Sequence, residues 1–286
     1  MSNRIRLLGL DLDGTLLDNE KLLSKVNEDS IKEAMNKGVV VVPITGRPKS
    51  GIPDAILQLF HSSYIITSNG AVTTDIKAQR DIDGVYLKNQ TVIEVFSEIQ
   101  KINEKVEFEV FVDGIGYAQK QHFYNISEKY RGTPLESYIK NSRSPVDDII
   151  SFIASRENDI TGISIMTEST FIKNRILNVL TEFHNIKITS SIPTDLEINA
   201  ANAGKGLALL RLANSLGIQK SQIMACGDSE NDIEMLEMAE IGVAMGNADE
   251  KVKLIADYIT LSNEEDGVAH AINRFISCQP PLILTP

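Results

Sequence analysis

Two carboxylates stand two positions apart in Asp11-Leu12-Asp13-Gly14-Thr15, just beyond a continuously apolar stretch, and the glycine after them lets the backbone turn tightly. Like charges this close repel, and a divalent cation between them is the natural compensation. A solvated acidic turn explains an isolated pair of this kind equally well, so the rest of the chain has to decide. A second acidic group, Gly227-Asp228-Ser229-Glu230-Asn231-Asp232, follows another apolar run. The preference of acids for the positive end of a helix dipole accounts for one such carboxylate, but does not require it to meet Asp11. Thr45-Gly46-Arg47 offers a hydroxyl and backbone amides where a helix is predicted to begin, an arrangement suited to phosphate oxygens. Lys205, between Gly204 and Gly206 at the head of a predicted helix, is an accessible cation, although a lone lysine is ordinarily surface charge. Its surroundings are not a Walker A loop, since the upstream glycine and the following Ser or Thr are absent.

The elements that must hold these residues follow from hydrophobic patterning. Residues 5–10, 39–44 and 64–67 read as strands buried on both faces, and a helix is predicted over residues 24–37 with Ser24 as N-cap, Ile31, Ala34 and Met35 on its apolar face and Gly38 as its stop. Alternation of this kind favours right-handed βαβ units and a mostly parallel sheet, where ligands bind beyond the carboxyl ends of the strands. From about Asp83 to Pro193 the strands alternate more (107–112, 162–167, 186–190). Two amphipathic helices separate them, one presenting Val92, Phe96 and Ile99, the other Ile172, Ile176, Val179, Leu180 and Phe183. This predicts a separate α+β insert whose sheet is exposed on one side. Buried patterning then returns, with helices over 207–216 and 233–239 and strands over 223–226 and 241–244, so the core domain is discontinuous: residues 1–84 and 194–286, with the insert at 85–193. Residues 279–286, with three prolines, are predicted to be irregular.

Composition narrows the function classes. A chain of 286 residues can bury a full core and divide in two, and 42% hydrophobic with 23% charged residues is ordinary for a globular protein. No apolar run approaches the ~20 residues needed to span a bilayer, and the N-terminus lacks a secretory layout, so a cytoplasmic location is expected and a membrane partner is not. Two cysteines, Cys226 and Cys278, exclude a disulfide framework and a cysteine metal site, while His61, His122, His184 and His270 lack metal-ligand spacing. The net charge of −11, without a basic block interleaved with aromatics, speaks against nucleic acid. A phosphorylated ligand would need local cations to overcome that field.

The order D-L-D-G-T-L, T-G-R, Lys-Gly, G-D-S-E-N-D resembles the four motifs of the haloacid dehalogenase-like phosphatases, and the S-N-G after the third strand with the large insert before Lys205 is similar to the Cof-type branch with a C2 cap. The resemblance covers residues 5–84 and 195–273. It implies a doubly wound, mostly parallel Rossmann-like α/β core with a smaller α+β cap. It further implies that Asp11 is the nucleophile that takes up phosphate, Asp13 the general acid/base, and Mg²⁺ the cofactor, held by the Asp11 side chain, the Asp13 carbonyl and Asp228. Thr45, Gly46, Lys205, Asn231 and the Leu12 amide would contact the transferring phosphate, Asp232 would support Lys205 or a metal-bound water, and Arg47 would line the cap side.

The implied activity is hydrolysis of a small phosphorylated metabolite such as a sugar phosphate. A phosphomutase of the same superfamily and a non-catalytic phosphometabolite sensor are the alternatives, the latter disfavoured because a sensor has no need of an acid/base beside a nucleophile. Substrate identity and oligomeric state are not legible, and Asp113, Tyr117 and His122 are as readily ordinary cap surface as specificity residues. Two departures stand out: Pro43, where a ladder-donating residue is usual and a distorted strand end is expected, and Gly204, where the family often has a polar residue.

Overall fold

A computed structural model describes residues 4–133 and 135–278; the segment 279–286, expected to be irregular, lies outside the described residues. The chain forms two compact units, one from Met1–Thr45, Pro53–Asp83 and Gly204–Pro286, the other from Gly46–Ile52 and Gly84–Ala203. In chain order the first unit begins β1 (Leu7–Leu10), α1 (Lys25–Asn36), β2 (Val40–Pro43), α2 (Asp54–Leu59), β3 (Tyr64–Thr67), β4 (Val72–Asp75) and β5 (Arg80–Gly84). The second unit follows with α3 (Asn89–Lys101), β6 (Val106–Val112), β7 (Ile115–Gln119), α4 (Lys120–Lys129), α5 (Leu135–Ser142), β8 (Arg143–Val146) and α6 (Ile149–Ala154). It closes with β9 (Ile160–Thr167), α7 (Thr170–Leu180), β10 (Ile186–Thr189) and β11 (Asp195–Ala200). The first unit resumes with α8 (Lys205–Ser215), β12 (Ile223–Gly227), α9 (Ile233–Met238), β13 (Ile241–Ala244), α10 (Glu250–Ile255), β14 (Tyr258–Ile259) and α11 (Gly267–Ile272).

The first unit is an α/β layer structure around a five-stranded parallel sheet ordered β14-β13-β12-β1-β2. Its central strands are apolar throughout and fully buried, as strands covered on both faces must be. From β1 the chain steps to β2 on one side; from β12 it steps to β13 and β14 on the other. The neighbouring carboxyl ends of β1 and β12 therefore flank a topological switch point, where open α/β sheets place their ligands. A three-stranded sheet, β3-β4-β5, lies next along the chain, joined to the end of β2 by an Ile44–Ile66 bridge. Ser24 caps α1 as expected, its hydroxyl accepting from the Asn27 amide.

Pro43 does not distort its strand. It stays in register opposite Leu10, while Val40 and Ile44 donate to the Arg6 and Leu10 carbonyls. Alternation then turns position 43 away from β1, so the missing N–H removes no bond to that neighbour.

The second unit is a six-stranded sheet ordered β10-β11-β9-β6-β7-β8, antiparallel except for the β7–β8 pair. Phe108, Val110 and Val112 of β6 share a core with Val92, Val95 and Ile99 of α3, Ile153 of α6, and Ile176 and Leu180 of α7. Three features depart from the sequence reading. The insert runs on to Ala203, because β11 is hydrogen-bonded within this sheet, and it takes Gly46–Ile52 with it. It contains α4, α5 and α6 beside the two expected helices; α4 is polar and buries only Ile126, so it carries little apolar periodicity to detect. Finally, the outer face of β6 is not simply exposed: Glu109 is buried against Arg143, whose guanidinium lies over the Tyr138 ring of α5. Among the described residues no helix is long and apolar enough to cross a membrane.

Candidate active site

The pairing of β1 with β12 aligns Leu10 with Cys226, and the Asp11 amide donates to the Cys226 carbonyl at 3.1 Å, carrying the ladder one residue past the strand. Asp11 and Asp228 thus leave adjacent strand ends side by side. Gly14 makes the turn between Asp11 and Thr15 possible: its φ is +84°, and a β-carbon built there would lie 2.6 Å from an Asp228 oxygen. Thr15, buried beside it, donates its hydroxyl to Asp228 Oδ1 at 2.8 Å, and the Ser229 hydroxyl donates to Oδ2 at 2.8 Å.

Carboxylate oxygens of Asp11, Asp228 and Asp232 all lie within 4.8 Å of one another. Lys205, the first residue of α8 and only 2% exposed, donates Nζ to Asp11 Oδ1 and to Asp232 Oδ1, each at 2.7 Å. This is no surface lysine. Asp232 is fully engaged, since its Oδ2 accepts the backbone N–H groups of Asp228 and Ser229 at 2.9 and 3.0 Å. It orients Lys205 and closes the turn rather than presenting a bare oxygen. Asp11, by contrast, meets Lys205 through Oδ1.

Burial, reinforced by the Asp232 carboxylate, pushes Asp11 well above the usual carboxylate range, with Lys205 pulling it back. Burial and Asp232 likewise push Asp228 up to about 6. Burial alone would pull Lys205 down, but Asp11 and Asp232 outweigh it and hold the ammonium above its ordinary value. Three carboxylates face one ammonium, and a divalent cation would bring the set to neutrality; the oxygen-only donors suit a hard cation. Cys226, one position before Gly227, is pushed up to about 12 by burial and then by Asp232, so its thiol is inert packing.

Not every sequence-predicted residue joins this cluster. The Asp13 carboxylate is about a third exposed and pairs with Lys21 Nζ at 3.0 Å. The Leu12 carbonyl accepts from the Thr15 and Leu17 amides within the same turn. Thr45 is buried at the end of β2, and its amide donates to the Ile66 carbonyl. No helix begins at Thr45-Gly46-Arg47, contrary to the sequence reading; the first turn after it is a 3-10 turn over Lys49–Gly51, begun by Pro48. Gly46 and Arg47 belong to the second unit, where the Arg47 guanidinium donates to the Gly51 carbonyl and lies 5.0 Å from the Tyr138 ring centre. Asn231 is buried and donates Nδ2 to Asn69 Oδ1 at 3.2 Å.

Comparison with known proteins decides the family. Residues 8–272 match the description haloacid dehalogenase-like hydrolase. The chain belongs to this family. A 5-amino-6-(5-phospho-D-ribitylamino)uracil phosphatase, YcsE of Bacillus subtilis, is 33% identical over 95% of this chain and 96% of its own length. The B. subtilis phosphatase YwpJ is 31% identical over 95% of this chain and all of its own. A haloacid dehalogenase-like hydrolase structure from B. subtilis superposes with a TM-score of 0.82 at 27% identity, covering 95% of this chain and 100% of that one.

In this haloacid dehalogenase-like hydrolase several residues bearing on the site escape motif reading. Thr15 and Ser229 were inside the motifs but gave no sign of donating to Asp228. Glu234 Oε2 accepts the Gly206 and Leu207 amides, capping the helix that begins with Lys205. Asn247 Nδ2 donates to the Gly14 carbonyl from more than two hundred residues away. Gly70 has a steric reason to be glycine. At φ +88°, it lies so close to Gly204 that a β-carbon at Gly70 would fall on the Gly204 carbonyl. Ser68 and Asn69 before it are also left-handed, at φ 50° and 53°, a conformation that for non-glycine residues costs about 1 kcal/mol or more each. The Ser68-Asn69-Gly70 signature announced a family branch, not a strained turn against the segment that carries Lys205.

Proposed function

We propose that the chain is a divalent-metal-dependent phosphomonoesterase acting on a small phosphorylated metabolite, with Mg²⁺ as the physiological ion. The observation that supports this best is Lys205, buried and bonded to both Asp11 Oδ1 and Asp232 Oδ1 at the strand-switch point. A phosphate monoester is so inert that a catalyst must lower its barrier by on the order of 20 kcal/mol. Splitting the transfer through a carboxyl phosphate divides that into two in-line displacements.

In this reading Asp11 Oδ2 attacks phosphorus while Lys205 holds Oδ1, fixing the carboxylate's orientation and offsetting charge on the phosphoryl oxygens. Asp11, the Asp13 carbonyl and Asp228 would hold the metal ion, which when bound neutralises phosphate charge and lets an anionic nucleophile approach. Thr45, Asn231 and the Leu12 amide would donate to the transferring group. Asp13 protonates the leaving alcohol and then takes a proton from the attacking water.

Inorganic phosphate release from a panel of sugar phosphates, nucleotides and 5-amino-6-(5-phospho-D-ribitylamino)uracil, with Mg²⁺, tests the reading. Wild type should release phosphate from at least one compound, Asp11→Asn should lose on the order of 10³-fold or more, and EDTA should abolish release. Release that survives Asp11→Asn refutes the proposal.

A further inference from the structure

Asn69 touches two of the groups proposed to hold phosphate, and no motif assigns it a part. Its backbone N–H donates to the Thr45 carbonyl at 3.0 Å, and its side-chain Oδ1 accepts from Asn231 Nδ2 at 3.2 Å. All three residues are buried, Asn69 and Thr45 at 5% and 2% exposure. The next residue, Gly70, packs against the backbone of Gly204, which precedes Lys205, and the Gly70 carbonyl accepts from Arg211 of α8. One turn after β3 thus reaches the end of β2, the turn that opens α9 and the head of α8.

We infer that Asn69 is a positioning residue, orienting the Asn231 amide through its side chain and the Thr45 segment through its backbone so that both donors converge on the transferring phosphoryl group; this rests on the phosphatase reading proposed above. An amide nitrogen has two N–H groups. Asn69 takes one of them, which leaves the other aimed by that bond, and Asn231 Oδ1 has no partner among the described residues. Without the tether the amide can rotate about its terminal torsion, which is broad and two-fold. A donor then spends part of its time turned away from the phosphate.

The competing account is that an asparagine stands at position 69 only because it tolerates a left-handed backbone. That account explains the residue type but not a buried side chain bonded to Asn231, and the two separate cleanly. Asn69→Gly keeps the left-handed conformation and the backbone N–H to Thr45 while removing the side chain that carries the tether. We would measure steady-state hydrolysis of p-nitrophenyl phosphate and affinity for orthovanadate, both with Mg²⁺, for wild type, Asn69→Gly, Asn231→Ala and the double variant, with thermal unfolding as the control for folding.

Positioning predicts that Asn69→Gly lowers kcat and weakens vanadate by about 10-fold or more, the scale of losing an outer-layer partner, with Tm near wild type. It also predicts that the double variant is no worse than Asn231→Ala, because the tether has nothing left to orient. Wild-type values for Asn69→Gly, or losses that multiply in the double variant, overturn the inference and leave the phosphatase reading standing. An Asn231→Ala protein with wild-type kcat and vanadate affinity overturns Asn231 as a phosphate contact and the inference with it, whereas the Asp11→Asn control tests the phosphatase reading separately.

Discussion

Replacing Lys205 by methionine removes one charge while leaving a side chain of comparable reach in place. The ammonium is almost wholly buried and holds two carboxylates at 2.7 Å each. Deleting one member of such a buried set costs about 3–5 kcal/mol, because Asp11 and Asp232 then face each other and Asp228 with no counter-charge. The loss has a definite pH dependence. Asp11 and Asp228 are already raised, and without Lys205 Asp11 rises further. A carboxyl whose folded pKa exceeds its unfolded value binds its proton more tightly when folded, so stability falls as pH rises through the window above the unfolded value. The deficit of Lys205→Met should therefore be smaller at pH 4–5 than above pH 7. Urea unfolding of EDTA-treated protein, followed by far-UV circular dichroism at pH 5 and pH 8, measures it. At pH 8 the midpoint should fall by on the order of 2 M. Because the chain forms two compact units, only the transition of the unit containing Lys205 should move. A deficit below about 1 kcal/mol at pH 8, or one that shrinks as pH rises, would refute the charge balance argued for this cluster.

Asp11→Asn, while losing activity on the proposed reading, should be as stable as metal-free wild type or more so at pH 8, since it deletes a buried charge that the fold disfavours; calorimetry with EDTA checks this. Mg²⁺ at a hundred times its Kd should stabilise wild type by about 2.7 kcal/mol, and Asp228→Asn should lose most of that gain in thermal shift. With EDTA, the stability advantage of Asp228→Asn over wild type should grow as pH rises from about 4 to about 6, where Asp228 titrates in the folded protein, and then level off. Gly70→Ala places a β-carbon on the Gly204 carbonyl at a left-handed backbone, so it should cost about 3 kcal/mol or more and lower kcat by displacing Lys205; urea unfolding and phosphate release together test it.

Legibility tracked range and burial pattern. The strand at Tyr64–Thr67 and that at Ile241–Ala244 coincide with the reading from residues alone, and Ser24 caps α1 as read, because buried parallel strands and helix caps are written in a few adjacent positions. The three missed cap helices are short or polar, and the place of β11 was not legible because its hydrogen bonds are to β9 and β10, strands distant from Lys205 in sequence. The T-G-R segment was read as a helix start from residue type, but Pro48 and the short turn after it stop a helix from forming there.

The sequence by itself determined which chemistry was available: carboxylates and a lysine beyond buried strands, in an order that marks the family. Side-chain types and their spacing along one strand or turn are local, and they carry that information without a fold. Only the tertiary structure decided that Lys205 is buried between Asp11 and Asp232, that Asp232 is fully engaged while Asp13 turns to Lys21, and that Asn69 meets Asn231. The contacts of Lys205 and of Asn69 join positions far apart in the chain. Their energies depend on burial and on the summed field of neighbouring charges, which arise only once β1 and β12 have paired.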